Sequence, residues 1–235
     1  MAIVLLTPIG LDAGCWAWTD LGGEGTIKHV FPGFGGRPRA PEPPSMATLA
    51  DEVAASYPGD FDVVGMSLGG MVGQHLAVRH PHRVRSLVVG CTGAAADPVV
   101  MKERAVAAET GGMAAVFVST LERWFSPPAL AEPGHLGVAY ARRTLLALDP
   151  RSFADGWRAI GGHDVREQLP EIDVPVTCIA GTADTASPVS RTQDVADRVK
   201  NSHLVILDGP HMMHLERPAE FSAAVRDHLR RVEAG

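Results

Sequence analysis

Cysteine is scarce in this chain, with Cys15, Cys91 and Cys178 the only three among 235 residues. Three thiols cannot all pair within one chain, and two of them lie in or beside apolar strand-like runs, where thiols pack as small hydrophobes. Neither a disulfide framework nor a zinc site is indicated. Lysine/arginine-rich runs are also missing, and the formal net charge is −6, which argues against a nucleic-acid partner. The opening Met1-Ala2-Ile3-Val4-Leu5-Leu6 is too short for a membrane span and has no basic leader before its apolar run. It reads as a first strand, and the expectation is a soluble cytoplasmic protein with no membrane partner. No internal repeat is visible.

What the chain does have is enough apolar residue for one large core: 46% hydrophobic against 20% charged. Strand-like runs lie near 2–6, 27–31, 61–65, 85–90, 174–180 and 203–207. Helical stretches fall between most of them, the clearest at 45–57, 68–79, 188–199 and 217–231. In the last, Ala219, Phe221, Val225 and Leu229 recur at helical spacing. Such alternation predicts parallel strands joined by crossover helices. The proline- and glycine-rich segment from Phe31 to Pro44 predicts a surface loop. Residues 94–170 leave the alternation and read as short amphipathic helices separated by Gly-Gly and Pro-Pro pairs, predicting a helical cap inserted into a core made of 1–93 and 171–235.

One segment carries chemistry on its face. In Val63-Val64-Gly65-Met66-Ser67-Leu68-Gly69-Gly70 a β-branched run breaks into G-x-S-x-G and continues as the apolar helical stretch Met71 to Ala77. Flanking glycines let a backbone turn sharply from strand to helix and expose a serine hydroxyl at the bend, the arrangement of a nucleophile elbow. A serine that merely caps the helix is the competing reading. The rest of the chain decides between them, because a serine hydroxyl needs an imidazole to take its proton and a carboxylate to orient that imidazole. Asp184 follows the apolar run Val174 to Ala180, and His211 follows Leu204-Val205-Ile206-Leu207 on a loop kept from helix by Gly209-Pro210. The order Ser67, Asp184, His211 is that of the α/β-hydrolase fold.

The chain resembles the α/β-hydrolase superfamily over nearly its full length. The likeness is carried by Gly65 to Gly70, by Gly181-Thr182-Ala183-Asp184 with Pro188, and by Gly209 to Pro218. It implies an α/β class with a mostly parallel sheet and an inserted helical cap. By that likeness the chain starts at the strand that normally comes third, so the usual N-terminal antiparallel hairpin is expected to be missing. A shortened sheet edge needs covering, which makes a homodimer contact there an expectation. The fragment Thr120 to Phe125 and the stretch Leu148 to Ile160 resemble the cap of 3-oxoadipate enol-lactonases. So does the early loop Thr7-Pro8-Ile9-Gly10, where those enzymes also replace the usual His-Gly. By that alignment the oxyanion donors are the backbone N–H groups of Ile9 and Leu68, since Pro8 has none. The implied reaction is acyl transfer from a small-molecule ester or lactone to water, with no metal or organic cofactor.

Other polar residues are weaker candidates. His214 stands three positions after His211 but has no third ligand for a metal, and reads as structural. His75, His80 and His82 match no triad position. Arg123, Arg142, Arg143 and Arg158 are cap arginines of which one would anchor a substrate carboxylate, Arg123 leading because it adjoins Trp124. Trp124 and Trp157 are candidates for the pocket wall. Three functions stay open: a lactone or carboxylic-ester hydrolase, another triad enzyme of the same fold (cofactor-free haloperoxidase, thioesterase or carbon–carbon bond hydrolase), and a non-catalytic ligand-binding module.

Overall fold

A computed structural model describes residues 2–22 and 25–234, leaving Met1, Gly23, Glu24 and Gly235 outside the described residues. Among the described residues six strands form one sheet: β1 (Ile3–Leu6), β2 (Thr26–His29), β3 (Phe61–Met66), β4 (Val84–Gly90), β5 (Val176–Gly181) and β6 (Ser202–Leu207). Their order is β2-β1-β3-β4-β5-β6 and every pairing is parallel. The six expected runs are therefore all strands, with ends displaced by a residue or two. The run expected at 27–31 stops at His29, before the chain enters Phe31-Pro32. The one expected at 174–180 starts at Val176, because Pro175 has no N–H and contributes only its carbonyl, which accepts from Leu87. Strands β3 and β5 are buried at every residue, as parallel strands covered on both faces must be.

Helices α1 (Met46–Ser56), α2 (Leu68–Arg79), α7 (Val189–Arg198), α8 (Met213–Glu216) and α9 (Pro218–Ala234) flank the sheet. Ser45 starts α1 with a reciprocal capping box to Thr48. Leu87 sits under Gly73 of α2, whereas Gly90, three residues along the strand and so on the opposite face, lies against Phe221 of α9. Between β4 and β5 run α3 (Pro98–Trp124), α4 (Pro127–Ala131), α5 (Leu136–Leu146) and α6 (Pro150–Gly161). Gly111-Gly112 does break a helix as the sequence predicts, but the two halves run on end to end: Gly112 at φ 69°, ψ 177° is a bend within α3. Asp97 and Asp149 cap α3 and α6, each followed by proline in the first turn. The insertion's entry and exit are tied together by an antiparallel bridge, Ala95 to Asp164. His163 there reaches the Gly93 carbonyl at 2.9 Å and His75 of α2 at 3.2 Å.

Two glycines let α2 lie directly on the sheet. A Cβ built on Gly69 would collide with the Leu6 carbonyl, and one on Gly65 with the Gly69 carbonyl. Backbone on both sides leaves nothing flexible to give way. Gly69→Ala is expected to lower stability by about 1–3 kcal/mol through overpacking, read as a lowered urea midpoint. An unchanged midpoint would mean that α2 does not approach β1 this closely.

Candidate active site

Ser67 occupies the single residue between β3 and α2, with φ 51° and ψ −114°. A positive φ is unfavourable for a residue with a side chain, and it persists because the surrounding backbone leaves no alternative. The Ser67 N–H donates to the Gly90 carbonyl at 2.8 Å, securing the bend to β4. The Ser67 hydroxyl lies 3.0 Å from His211 Nε2, and His211 Nδ1 lies 2.8 Å from Asp184 Oδ2. All three are buried. Asp184 stands just past β5, and its other oxygen, Oδ1, accepts the N–H groups of Ala186 at 2.9 Å and Ser187 at 2.7 Å. Both carboxylate oxygens are thus occupied, so the carboxylate has one orientation. A proton on Nδ1 facing Asp184 leaves the Nε2 lone pair toward the hydroxyl, the tautomer a general base requires. His211 follows β6, and the N–H of the next residue, Met212, donates to the Trp124 carbonyl at 2.9 Å, tying this loop to the end of α3.

Ile9 sits in a turn closed by Leu11 N–H on the Pro8 carbonyl, with Gly10 at φ 72°. Ile9, Ser67 and His211 line one cavity with about 490 Å³ of empty space, mouth included. Neither the Ile9 nor the Leu68 N–H is engaged in a hydrogen bond among the described residues. Trp124 and Trp157, both buried, form cavity wall with Met101 and Ile160. Arg123 lines it too, donating to Thr120 Oγ1 at 3.1 Å; burial, then the charge of Arg104, lower its pKa to about 10. The other three cap arginines are elsewhere: Arg142 donates to the Leu130 carbonyl, Arg143 borders a separate cleft, and Arg158 pairs with Glu109.

Sequence reasoning missed Arg104, Arg191 and Ser187, all of which line the cavity. Arg104 adjoins the buried stripe Met101, Ala105 and Ala108 of α3, and its guanidinium lies over the Trp157 ring at 4.8 Å. That position on the helix is the one signal available in advance. His214 fits the structural reading. It is fully buried against Trp16 and Phe221, neither ring nitrogen has a partner among the described residues, and burial followed by the His211 charge lowers its pKa to about 3. His75 pairs with His163 and His80 with Asp51, so neither reaches the cavity chemistry.

Cys91, next after β4 and at φ 49°, is more than a small hydrophobe: it lines the cavity and its sulfur lies within 4.8 Å of ligand atoms of Asp184 and His211. Metal binding would need its thiolate, yet burial, then the Asp184 charge and a hydrogen bond to Asp184, push the thiol up. Asp184 and His211 also spend their facing atoms on each other. The three groups suit a hydrogen-bonded cluster better than a metal cage. Cys15 and Cys178 are buried as well, Cys178 pushed up to about 12 by burial. An aromatic disulfide reagent near neutral pH should therefore find no reactive thiol in the folded protein and three after denaturation. Rapid reaction of one thiol in the native state would contradict the buried, protonated environment of Cys91.

Comparison with known proteins agrees with this architecture. The family model described as "Alpha/beta hydrolase family" matches residues 3–224. A 3-oxoadipate enol-lactonase from Acinetobacter baylyi is 29% identical over 168 residues, 71% of this chain and 62% of that protein's length. A pimeloyl-[acyl-carrier protein] methyl ester esterase from Neisseria meningitidis is 30% identical over 205 residues, 84% of this chain and 79% of that protein. The crystal structure of the enol-lactonase from Burkholderia xenovorans superposes with a TM-score of 0.92 at 29% identity, covering 97% of this chain and 90% of that one. With the parallel sheet, the bend at Ser67 and the match from residue 3 to residue 224, the chain belongs to the alpha/beta hydrolase family.

Proposed function

We propose that this hydrolase cleaves a carboxylic ester or lactone through an acyl-enzyme on Ser67, with Asp184 and His211 as its partners. The observation that carries the reading is the unbroken hydrogen-bonded run from Asp184 through His211 to Ser67, which ends inside the cavity. Ser67 Oγ attacks the carbonyl carbon as His211 Nε2 takes its proton. The oxyanion is held by the N–H groups of Ile9 and Leu68. When the tetrahedral intermediate collapses, the carbonyl–oxygen bond breaks and His211 returns the proton to the leaving oxygen. In a lactone that oxygen stays tethered to the acyl chain, so nothing departs before water enters and repeats the cycle. Hydrolysis then frees Ser67 and a carboxylic acid.

The enol-lactonase likeness in sequence and fold supports an enol lactone as substrate. There the released enol tautomerises to a ketone, which lowers the demand for acid assistance. Arg123 is the proposed anchor for the substrate carboxylate. A second reading, hydrolysis of a methyl ester of an acyl-carrier-bound dicarboxylate, follows from the Neisseria relative. The ultraviolet loss of 3-oxoadipate enol-lactone, run beside methanol release from that ester, separates the two.

A fluorophosphonate probe should label native Ser67. Asp184→Asn should fold normally yet lower turnover by about 10⁴-fold, the scale seen when a triad imidazole loses its orienting carboxylate. An unlabelled Ser67, or full activity in Asp184→Asn, would overturn the triad assignment.

A further inference from the structure

Three arginines from separate turns converge on the cavity beside Ser67: Arg104 and Arg123 from α3 and Arg191 from the first turn of α7. All three are half-buried. Several arginines elsewhere pair with carboxylates, as in Arg39–Asp155, Arg79–Asp51, Arg85–Asp62 and Arg158–Glu109. Among the described residues none of the three cavity arginines has a carboxylate within 4.0 Å. Arg123 bonds Thr120, Arg191 the Ala95 carbonyl, and Arg104 rests on Trp157. The acidic group nearest in effect is Glu122, which is exposed and only partly offsets the lowering of Arg123. Asp184, the other carboxylate in the neighbourhood, is fully engaged with His211, Ala186 and Ser187.

The three cations also act on one another. Burial, then the charge of Arg191, lowers the pKa of Arg104, and Arg104 in turn lowers that of Arg123. Like charges sharing a poorly hydrated cavity destabilise it when empty, and a bound anion removes that penalty. One carboxylate accepts one guanidinium fork and leaves two cations uncompensated. A fourth group points to a ligand: the Ser187 hydroxyl lines the same cavity, is nine-tenths buried, and has no hydrogen-bond partner among the described residues.

We propose that the arginine end of the cavity, with Arg104, Arg123, Arg191 and the Ser187 hydroxyl, binds a doubly charged acidic group, so that the ester or lactone cleaved at Ser67 carries two negative charges. Two carboxylates, or one phosphate, satisfy this chemistry; the lone carboxylate of 3-oxoadipate enol-lactone can be held by Arg123 but leaves Arg104 and Arg191 uncompensated, so the preferred ester or lactone carries one charge more than that compound. The inference rests on the hydrolase reading only for the position of the scissile bond. The charge preference is a property of the cavity.

Calorimetric titration of the native protein with butyrate, succinate and inorganic phosphate tests it. Succinate or phosphate should bind at least about tenfold more tightly than butyrate, the worth of one further charge-assisted contact. Whichever of the two binds more tightly identifies the group. Arg104→Gln and Arg191→Gln should each remove most of that advantage. Arg104→Lys, which keeps the charge and loses the fork, should lose part of it and guards against a Gln variant that fails to fold. Arg142→Gln, on the exposed side of α5, is the control that leaves it intact. Equal affinity for butyrate and the dianions, or an advantage insensitive to Arg104 and Arg191, would overturn the proposal. Labelled Ser67 without dianion preference would remove this inference alone, and dianion binding with unlabelled Ser67 would remove the hydrolase reading alone.

Discussion

The close contact of two backbones, α2 against the end of β1 and β3, is the constraint from which the rest of the site follows. Leu6 and Gly69 approach without a side chain between them, and Gly65 faces the Gly69 carbonyl in the same way. With the backbone fixed on both sides, the residue between strand and helix has to turn with a positive φ, and that residue is Ser67. Such strain is on the order of 1–3 kcal/mol. It is offset by a buried hydrogen bond to Gly90 and by an elbow helix whose residues from Leu68 to Gln74 are all buried. The same bend brings the Leu68 N–H and the Ser67 hydroxyl out together at the start of a helix, where the positive end of the helix dipole lies.

A parallel sheet supplies the second ingredient, a shared edge. The carboxyl ends of β3, β5 and β6 all finish on one side, so the residues that follow them meet although His211 and Ser67 are 144 positions apart. Each side chain is then fixed by neighbours of its own. Asp184 is held by the turn that follows it, and His211 by Asp184 and by the Met212 link to Trp124. That last bond makes the insertion part of the site's framework as well as its wall. A change in how α3 ends at Trp124 would be felt at the imidazole.

What could be read in advance divides along the same line. The bend at Ser67 is legible because its cause is local: glycines two positions either side of a serine, between a β-branched run and an apolar helix. Asp184 and His211 are legible because each directly follows a strand-like run. Strand ends were displaced where proline intervenes, at Pro175 and before Pro32, since hydrogen-bond availability and hydrophobicity part company there. Arg104, Arg191 and Ser187 were missed for a different reason. No spacing relates an arginine at 104 in α3 to a first-turn arginine at 191 in α7; they share a cavity only because the fold brings the insertion and α7 to the same site. Arg123 was found through its neighbour Trp124, while Arg158, which looked equivalent, turned outward to Glu109. Cys91 was read correctly as buried, but nothing in an apolar strand end announces a thiol beside Asp184.

Net charge is a poor guide to such a site. The chain as a whole is acidic, with a formal charge of −6, yet the cavity beside Ser67 is cationic. Local field is set by which charges are left without partners in a poorly solvated space. Here the carboxylates are either spent, as Asp184 is, or distant, and the imidazole packed behind His211 is kept neutral: His214 lies against Trp16 and Phe221 and stays uncharged down to about 3. Were His214 cationic, it would oppose a positive charge on His211, the form His211 takes in the proposed mechanism when it holds the Ser67 proton. An apolar back and a cationic front thus divide the site: no second charge lies behind His211 at His214, while an anion is drawn toward the serine by the arginines on the other side.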